Sequence, residues 1–469
     1  MRMVTAKAAG LLTQTAGLPR IPQTTDKPII ASLTGLRFFA AMAVVLYHYS
    51  WLIPYPPAIF AFVRQGWAGV GLFFVLSGFV ITYNYADWFA TDTASYWTFL
   101  RARFARVVPL HVVALALATP ISLYAMYLHS ISFNWTTALS WLTNLFLLEA
   151  YVPITQFKVW NAPAWSISVE FFYYLTFPFI ARRLFVRFDS ERSLEFLGLG
   201  VIVTGALFIG PVSYFLTSIL GQFPPELGVE PGYALHRFPP VRMGEFLLGC
   251  TLALAFLRAR SLKERGLMSA LRRNRAVREM MVAFAVGLFG LVSLTSQNAE
   301  YTSESNMIYM VTAAMLIGAL ASGPTLLSPI LEHRAVVLLG NASYSLYMIH
   351  WIPVAATALL VGARPSPAID PYWSAIAGAN APGMLAVALL LVSTVLISIA
   401  CYRLVESPAR RLLRPKSRPR QPACGAGRID GSQSGAAFFG SGDHAKDPSA
   451  SADGTLEELT CWCRRFCQP

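Results

Sequence analysis

Apolar runs of about 17 to 25 residues recur along nearly the whole chain, separated by short polar segments, which is the spacing of helices that cross a bilayer. No period-two alternation is sustained, so the runs read as helices and not as strands of a barrel. Spans are expected near 30–53, 67–86, 107–128, 163–181, 195–217, 238–257, 280–296, 307–322, 336–361 and 381–404. The stretch 134–150 is apolar enough to be another, but charge parity decides against it. Arg2, Lys7, Arg101, Arg103 and Arg106, then Arg182, Arg183, Arg187 and Arg192, then the loop 258–278 and the tail from Arg410 to Arg420 all belong on the cytoplasmic side. Ten crossings with both termini inside satisfy every one of these clusters; residues 134–150 are then interfacial or re-entrant. The fold class is all-α: a polytopic integral membrane bundle of about ten transmembrane helices with both termini cytoplasmic.

Composition agrees with that class. Of 469 residues 55% are hydrophobic and 13% charged, and the mean hydropathy is +0.51. The net charge of +13 is gathered in particular loops, most densely in Arg258–Arg278, so it marks orientation and anionic headgroups, not nucleic acid. Glu226, Glu230, Glu300 and Glu304 fall in the loops assigned to the outside. Residues 1–29 are polar and no cleavable signal peptide precedes the first span. From about Pro415 the chain turns rich in Pro, Gly, Ser and Ala. The expected division is therefore a cytoplasmic segment at 1–29, a membrane domain at 30–413 and a disordered cytoplasmic tail at 414–469. Cys250 and Cys401 read as packing residues in spans; Cys424, Cys461, Cys463 and Cys467 in the tail form no convincing metal signature.

The chemistry stands out against this apolar background. Arg37 and His48 both lie in the first span, 11 positions apart, which returns them to nearly one face and separates them by roughly 16 Å along the axis. Ionisable groups at that depth face a polar cavity or a partner. Gly71 and Gly78 share a face of the second span and permit close helix approach, with Ser77 beside them. Arg103 and Arg106 form an RxxR pair ahead of Pro109, suited either to clamping a polyanion or to anchoring the cytoplasmic side. In NAPAWSISVEFFYYL, Ser166, Glu170 and Tyr174 fall on one stripe, with Tyr173 adjacent and Trp165 as an interfacial anchor. Glu170 needs a partner, and either His48 or Arg37 serves. Ser343, Tyr347 and His350 form a second polar stripe, equally consistent with substrate hydroxyls or with packing. Glu406 pairs with Arg403 or Arg410 at a helix end. No HExxH or clustered ligand set implies a metal.

Together, LTGLRFFAAMAVVLYHYS, GVGLFFVLSGFVI, RARFARVVPLH, APAWSISVEFFYYLTFP, LGNASYSLYMIHW and VESPARRLL resemble the bacterial membrane acyltransferase 3 family, in family order and across residues 30–413. Between about 190 and 330 only hydrophobic periodicity matches. The resemblance implies O-acyl transfer, acetyl above all, from cytoplasmic acyl-CoA to a hydroxyl of a cell-surface glycan, lipopolysaccharide or exopolysaccharide precursor at the inner (plasma) membrane. It implies His48 as the essential residue with Arg37 and Glu170 as catalytic partners, and Arg103 and Arg106 on the acyl-CoA side. Ser166, Tyr173, Tyr174, Tyr347 and His350 would line the acceptor. The rival class is a multi-span transporter or flippase for a glycan or its lipid carrier; the RxxR and WSxSxE segments weigh against it.

Overall fold

A computed structural model describes residues 29–50, 52, 56–90, 96–128, 130, 132–153, 160–188, 190–222, 231–261, 266–295, 303–360 and 383–413. The tail, with Cys424, Cys461, Cys463 and Cys467, lies outside the described residues, as do residues 1–28 and Glu226, Glu230 and Glu300. In chain order the helices are α1 (Ala31–Tyr49), α2 (Pro57–Arg64), α3 (Ala68–Ala90), α4 (Tyr96–Leu128), α5 (Trp135–Leu145) and α6 (Ala164–Arg187). There follow α7 (Glu191–Leu220), α8 (Pro231–Arg237), α9 (Pro239–Ser261), α10 (Leu267–Arg273), α11 (Arg275–Thr295) and α12 (Ser303–Ser322). The last are α13 (Ser328–Leu331), α14 (Arg334–Asn341), α15 (Ser343–Ile349), α16 (Trp351–Leu360), α17 (Met384–Cys401) and α18 (Ser407–Leu413), the final two joined by a π-helical turn at Tyr402–Glu406. The described residues contain no strand.

Six helical stretches among them are long and apolar enough to cross a membrane: Ala31–Tyr49, Ile59–Ala86, Tyr96–Leu128, Pro239–Ala259, Arg275–Thr295 and Met384–Leu413. The number rises to eight if each of two bent pairs is one span. Two of the ten expected spans depart from that test. Asn306–Ser322 is shorter, and α6 carries Glu170 in its second turn and Arg182, Arg183 and Arg187 toward its end. The expected single span at 336–361 is bent by 52° between Asn341 and Ser343. Residues 135–145 form an 11-residue helix, α5, capped by the Asn134 side chain on the Thr137 amide. At 1.5 Å per residue it covers about half of a hydrocarbon core, too little to cross alone.

The tightest packing joins α3 to α9. Gly78 meets the Phe246 carbonyl and Gly249 meets the Val75 carbonyl, so the two backbones touch where a Cβ would collide. Leu385, Leu389 and Leu396 of α17 are exposed on an outward face, as lipid-facing positions are. The broken span α14–α16 packs along α1, and this apposition brings the Ser343–His350 stripe beside Arg37 and His48.

Candidate active site

The site has two layers separated along the bundle axis. The inner one is a cleft, partly open to solvent, which α1 lines with Arg37, α4 with Arg103 and Arg106, and α6 with Ser166 and Glu170. Phe73, Phe74 and Ser77 of α3 and Ser343, Tyr344 and Tyr347 of α15 complete the walls.

Glu170 is flanked on two sides. Ser77 Oγ donates to its Oε1 at 2.9 Å, and Tyr174, one turn further along α6, lies beside it. Its charge acts on both Arg37 and Arg106. Arg103 is fixed by its Nη2, which donates to the Tyr85 hydroxyl at 2.7 Å, and by its stacking 4.9 Å from the Tyr85 ring centroid. The RxxR pair therefore sits on the opening turns of a helix and is aimed inward. Its buried Nε on Arg103 has no hydrogen-bond partner. Ser343, fully buried at the helix break, likewise turns an unpartnered hydroxyl on the cleft wall. Arginines that are braced but not saturated can bind an added anion.

The outer layer is an imidazole pair. His350 Nδ1 lies 2.6 Å from the Tyr347 carbonyl, and its Nε2 lies 3.1 Å from His48 Nδ1. A carbonyl only accepts, so Nδ1 of neutral His350 carries the hydrogen and Nε2 carries the lone pair. His48 must then donate from Nδ1, which also lies 3.0 Å from the Val44 carbonyl. The network thus assigns the basic lone pair of His48 to Nε2. Trp351 packs edge-on against His48, 5.4 Å between ring centroids.

Between the layers, Ser166 Oγ and Tyr347 Oη are 2.8 Å apart. Asn161, nearer the start of α6, donates to the Met348 carbonyl, so α6 and α15 run antiparallel. Glu170 is one turn to the inner side of that contact and His350 about one turn to the outer side. Helix rise separates them by roughly 10 Å. A direct contact between Glu170 and His48 is therefore not what the bundle builds: the carboxylate belongs with the arginines, and the imidazole is oriented by His350. Tyr173 departs from expectation as well. Its hydroxyl donates to the Arg242 carbonyl at 2.7 Å and its ring stacks on Phe246, because adjacent residues on a helix point about 100° apart and Tyr174 is the one turned toward Glu170 and the arginines.

A third group was not singled out from sequence. On α8 and α9, Arg242 pairs with Glu245 at 2.8 Å and donates to Asn306 Oδ1 at 2.9 Å, bracing α9 against α12. Arg237 stacks 5.5 Å from the Trp165 ring, and its charge reaches His48, Tyr347 and Glu149. Glu149, 5% exposed, has no hydrogen-bond partner on either carboxylate oxygen. Two charges three residues apart in an apolar run, as in VRMGEFLLG, were the available signal. Among the described residues no group of three or more His, Cys, Asp or Glu side chains is placed to hold a metal.

Comparison with known proteins gives this arrangement a context. The chain is 33% identical over 413 residues to the acyltransferase MdmB of Streptomyces mycarofaciens, covering 84% of this chain and 96% of that one. It is 22% identical over 396 residues to the O-acetyltransferase OatA of Staphylococcus aureus, covering 81% of this chain but only 57% of OatA. No solved structure matches. The acyltransferase domain model of the acyltransferase 3 family matches residues 30–403, from the start of α1 into the π-turn that follows α17, and the chain belongs to that family.

Proposed function

We propose that this membrane acyltransferase moves an O-acyl group, acetyl in the first instance, from cytoplasmic acyl-CoA to a hydroxyl of a cell-surface glycan or glycolipid precursor. The observation that carries the reading is the stacking of a cationic cleft and an imidazole pair on opposite sides of the Ser166–Tyr347 contact. Donor phosphates meet Arg103 and Arg106, and the pantetheine arm runs past Arg37 and Glu170. His48 Nε2 takes the proton of the acceptor hydroxyl as its oxygen attacks the thioester carbonyl; the carbon–sulfur bond breaks and CoA leaves as the thiol once protonated. Transfer through an acyl-imidazole uses the same nitrogen as nucleophile. Arg37, roughly 16 Å from His48 along α1, is too far to hold the oxyanion in either route and serves the donor instead.

The reading includes the topology: residues 30–413 form a ten-crossing domain of the inner membrane with both termini cytoplasmic, consistent with the cytoplasmic placement of every arginine cluster. The acetyl assignment leans on the name of OatA. Mass spectrometry of surface glycans from wild-type, deletion and His48→Gln strains tests the whole. An acyl-sized mass loss in both mutants is expected; identical spectra would reject the assignment.

A further inference from the structure

Four guanidinium groups converge at the inner end of the cleft, and only three of them come from the segments that predict it. The fourth is Arg410. The π-turn at Tyr402–Glu406 inserts one residue into the last helix and turns Glu406 inward, where it is 1% exposed. There it accepts from Ser345 Oγ at 2.6 Å and pairs with Arg410. Two further contacts align this segment with α4. Arg101 Nε donates to the Leu413 carbonyl at 3.1 Å, and Tyr344 Oη donates to the Val107 carbonyl at 2.7 Å. Leu413 is one turn from Arg410 and Arg101 is within two turns of Arg103 and Arg106, so α18 lies alongside the RxxR pair with Arg410 toward it. The charges of Arg37, Arg103 and Arg106 all bear on Arg410 or feel it.

Among the described residues the carboxylates acting on this cluster are Glu170 and Glu406. Four cations against two anions, at the edge of a low-dielectric bundle, are mutually repulsive until an anion joins them. Arg410 also keeps a buried Nε without a partner while its head remains partly exposed, 32% of the side chain. It is not part of the cleft wall, so it stands behind Arg103 and Arg106 at that inner end.

We propose that Arg410 is a phosphate-binding residue of the donor site, taking the ribose 3′-phosphate of acyl-CoA, and that Glu406 on the π-turn is the residue that positions it. The proposal rests on the acyl-CoA reading above. An anionic phosphate could also come from a lipid headgroup, and the experiment separates the two. Full-length protein in phosphatidylcholine nanodiscs, with and without added phosphatidylglycerol, is titrated with CoA and with 3′-dephospho-CoA. Wild type should prefer CoA about tenfold, the worth of one charge-assisted contact. In Arg410→Gln that preference should collapse to near unity, with 3′-dephospho-CoA affinity unchanged, and Arg410→Lys should fall between. Glu406→Gln should lower CoA affinity alone, with partial rescue in Glu406→Asp. Affinity ratios within one variant do not depend on how much of it folds. Equal losses for both probes in Arg410→Gln, or no loss, would overturn the proposal. So would an effect confined to phosphatidylglycerol nanodiscs, which would assign Arg410 to lipid. If wild type binds neither probe, the acyl-CoA reading itself fails.

Discussion

His350 Nε2 lies 3.1 Å from His48 Nδ1, and this one contact fixes which nitrogen of His48 is basic. His350 does for His48 what a carboxylate does in many general-base pairs, without adding a charge to the interior. His48→Gln should therefore lower turnover at least ~100-fold, the ordinary share of a general base. His350→Ala should lower it by about tenfold, the loss of one orienting hydrogen bond. Initial rates normalised to protein in the membrane decide this. Full activity in His350→Ala would show that the pair is packing alone.

Arg103 is braced by Tyr85, and both Arg103 and Arg106 line the cleft, so a topogenic role does not account for their placement. Replacing both by Lys keeps the charge and removes the planar fork. The Michaelis constant for acyl-CoA should rise about tenfold or more while membrane insertion is unchanged. An unaltered constant would return both residues to anchoring.

Topology has a direct check. A cysteine in place of Ser303 should react with a membrane-impermeant maleimide in intact cells, and one in place of Lys263 only after permeabilisation. The reverse pattern would invert the bundle and place the arginine cleft outside, where no acyl-CoA reaches it.

Sequence periodicity located the helices, and helical spacing alone put Arg37 and His48 on one face; Ser343 and Tyr347 now share the cleft wall with Arg37, and His350, just past α15, meets His48. The Gly71–Gly78 spacing likewise anticipated the close approach of α9, with Gly78 on the Phe246 carbonyl. What spacing within one helix cannot supply is depth between helices. Sequence alone favours His48 as the partner of Glu170, with Arg37 as the competing one, and the choice depends on the register that Ser166–Tyr347 and Asn161–Met348 impose on two antiparallel elements. The break after Asn341 was legible in the Gly-Asn pair, a helix-stop signal, yet an uninterrupted apolar run concealed it. Arg242 and Glu245 were passed over because the surrounding hydropathy resembles any other span.

That register changes what Glu170 should do. As a partner of His48 it would shift the pH–rate profile on removal. As a member of the arginine layer it should not. Glu170→Gln is expected to raise the Michaelis constant for acyl-CoA severalfold and leave the turnover pH profile in place, and Ser77→Ala should do the same more weakly, since Ser77 Oγ holds the carboxylate. A profile displaced toward lower pH in Glu170→Gln would restore the direct pairing.

Glu149 offers a test read from stability. Burial pushes its carboxyl up to about 8 from the ordinary 4.5, opposed in part by Arg237. The folded protein thus keeps this proton up to about pH 8, while the unfolded chain releases it near pH 4.5. The folded state binds the extra proton across that window, so stability from this group is fully present below 4.5 and is lost as pH rises toward 8. For one carboxyl the change approaches tenfold in the folding equilibrium per pH unit. Glu149→Gln keeps the shape, stays neutral and removes the dependence. Thermal midpoints of purified wild type and variant should coincide near pH 5 and diverge toward pH 8, with the variant the more stable. Parallel curves across that range would mean that Glu149 is ionised in the fold, held by Arg237 as a buried ion pair, and the variant would then be the less stable throughout.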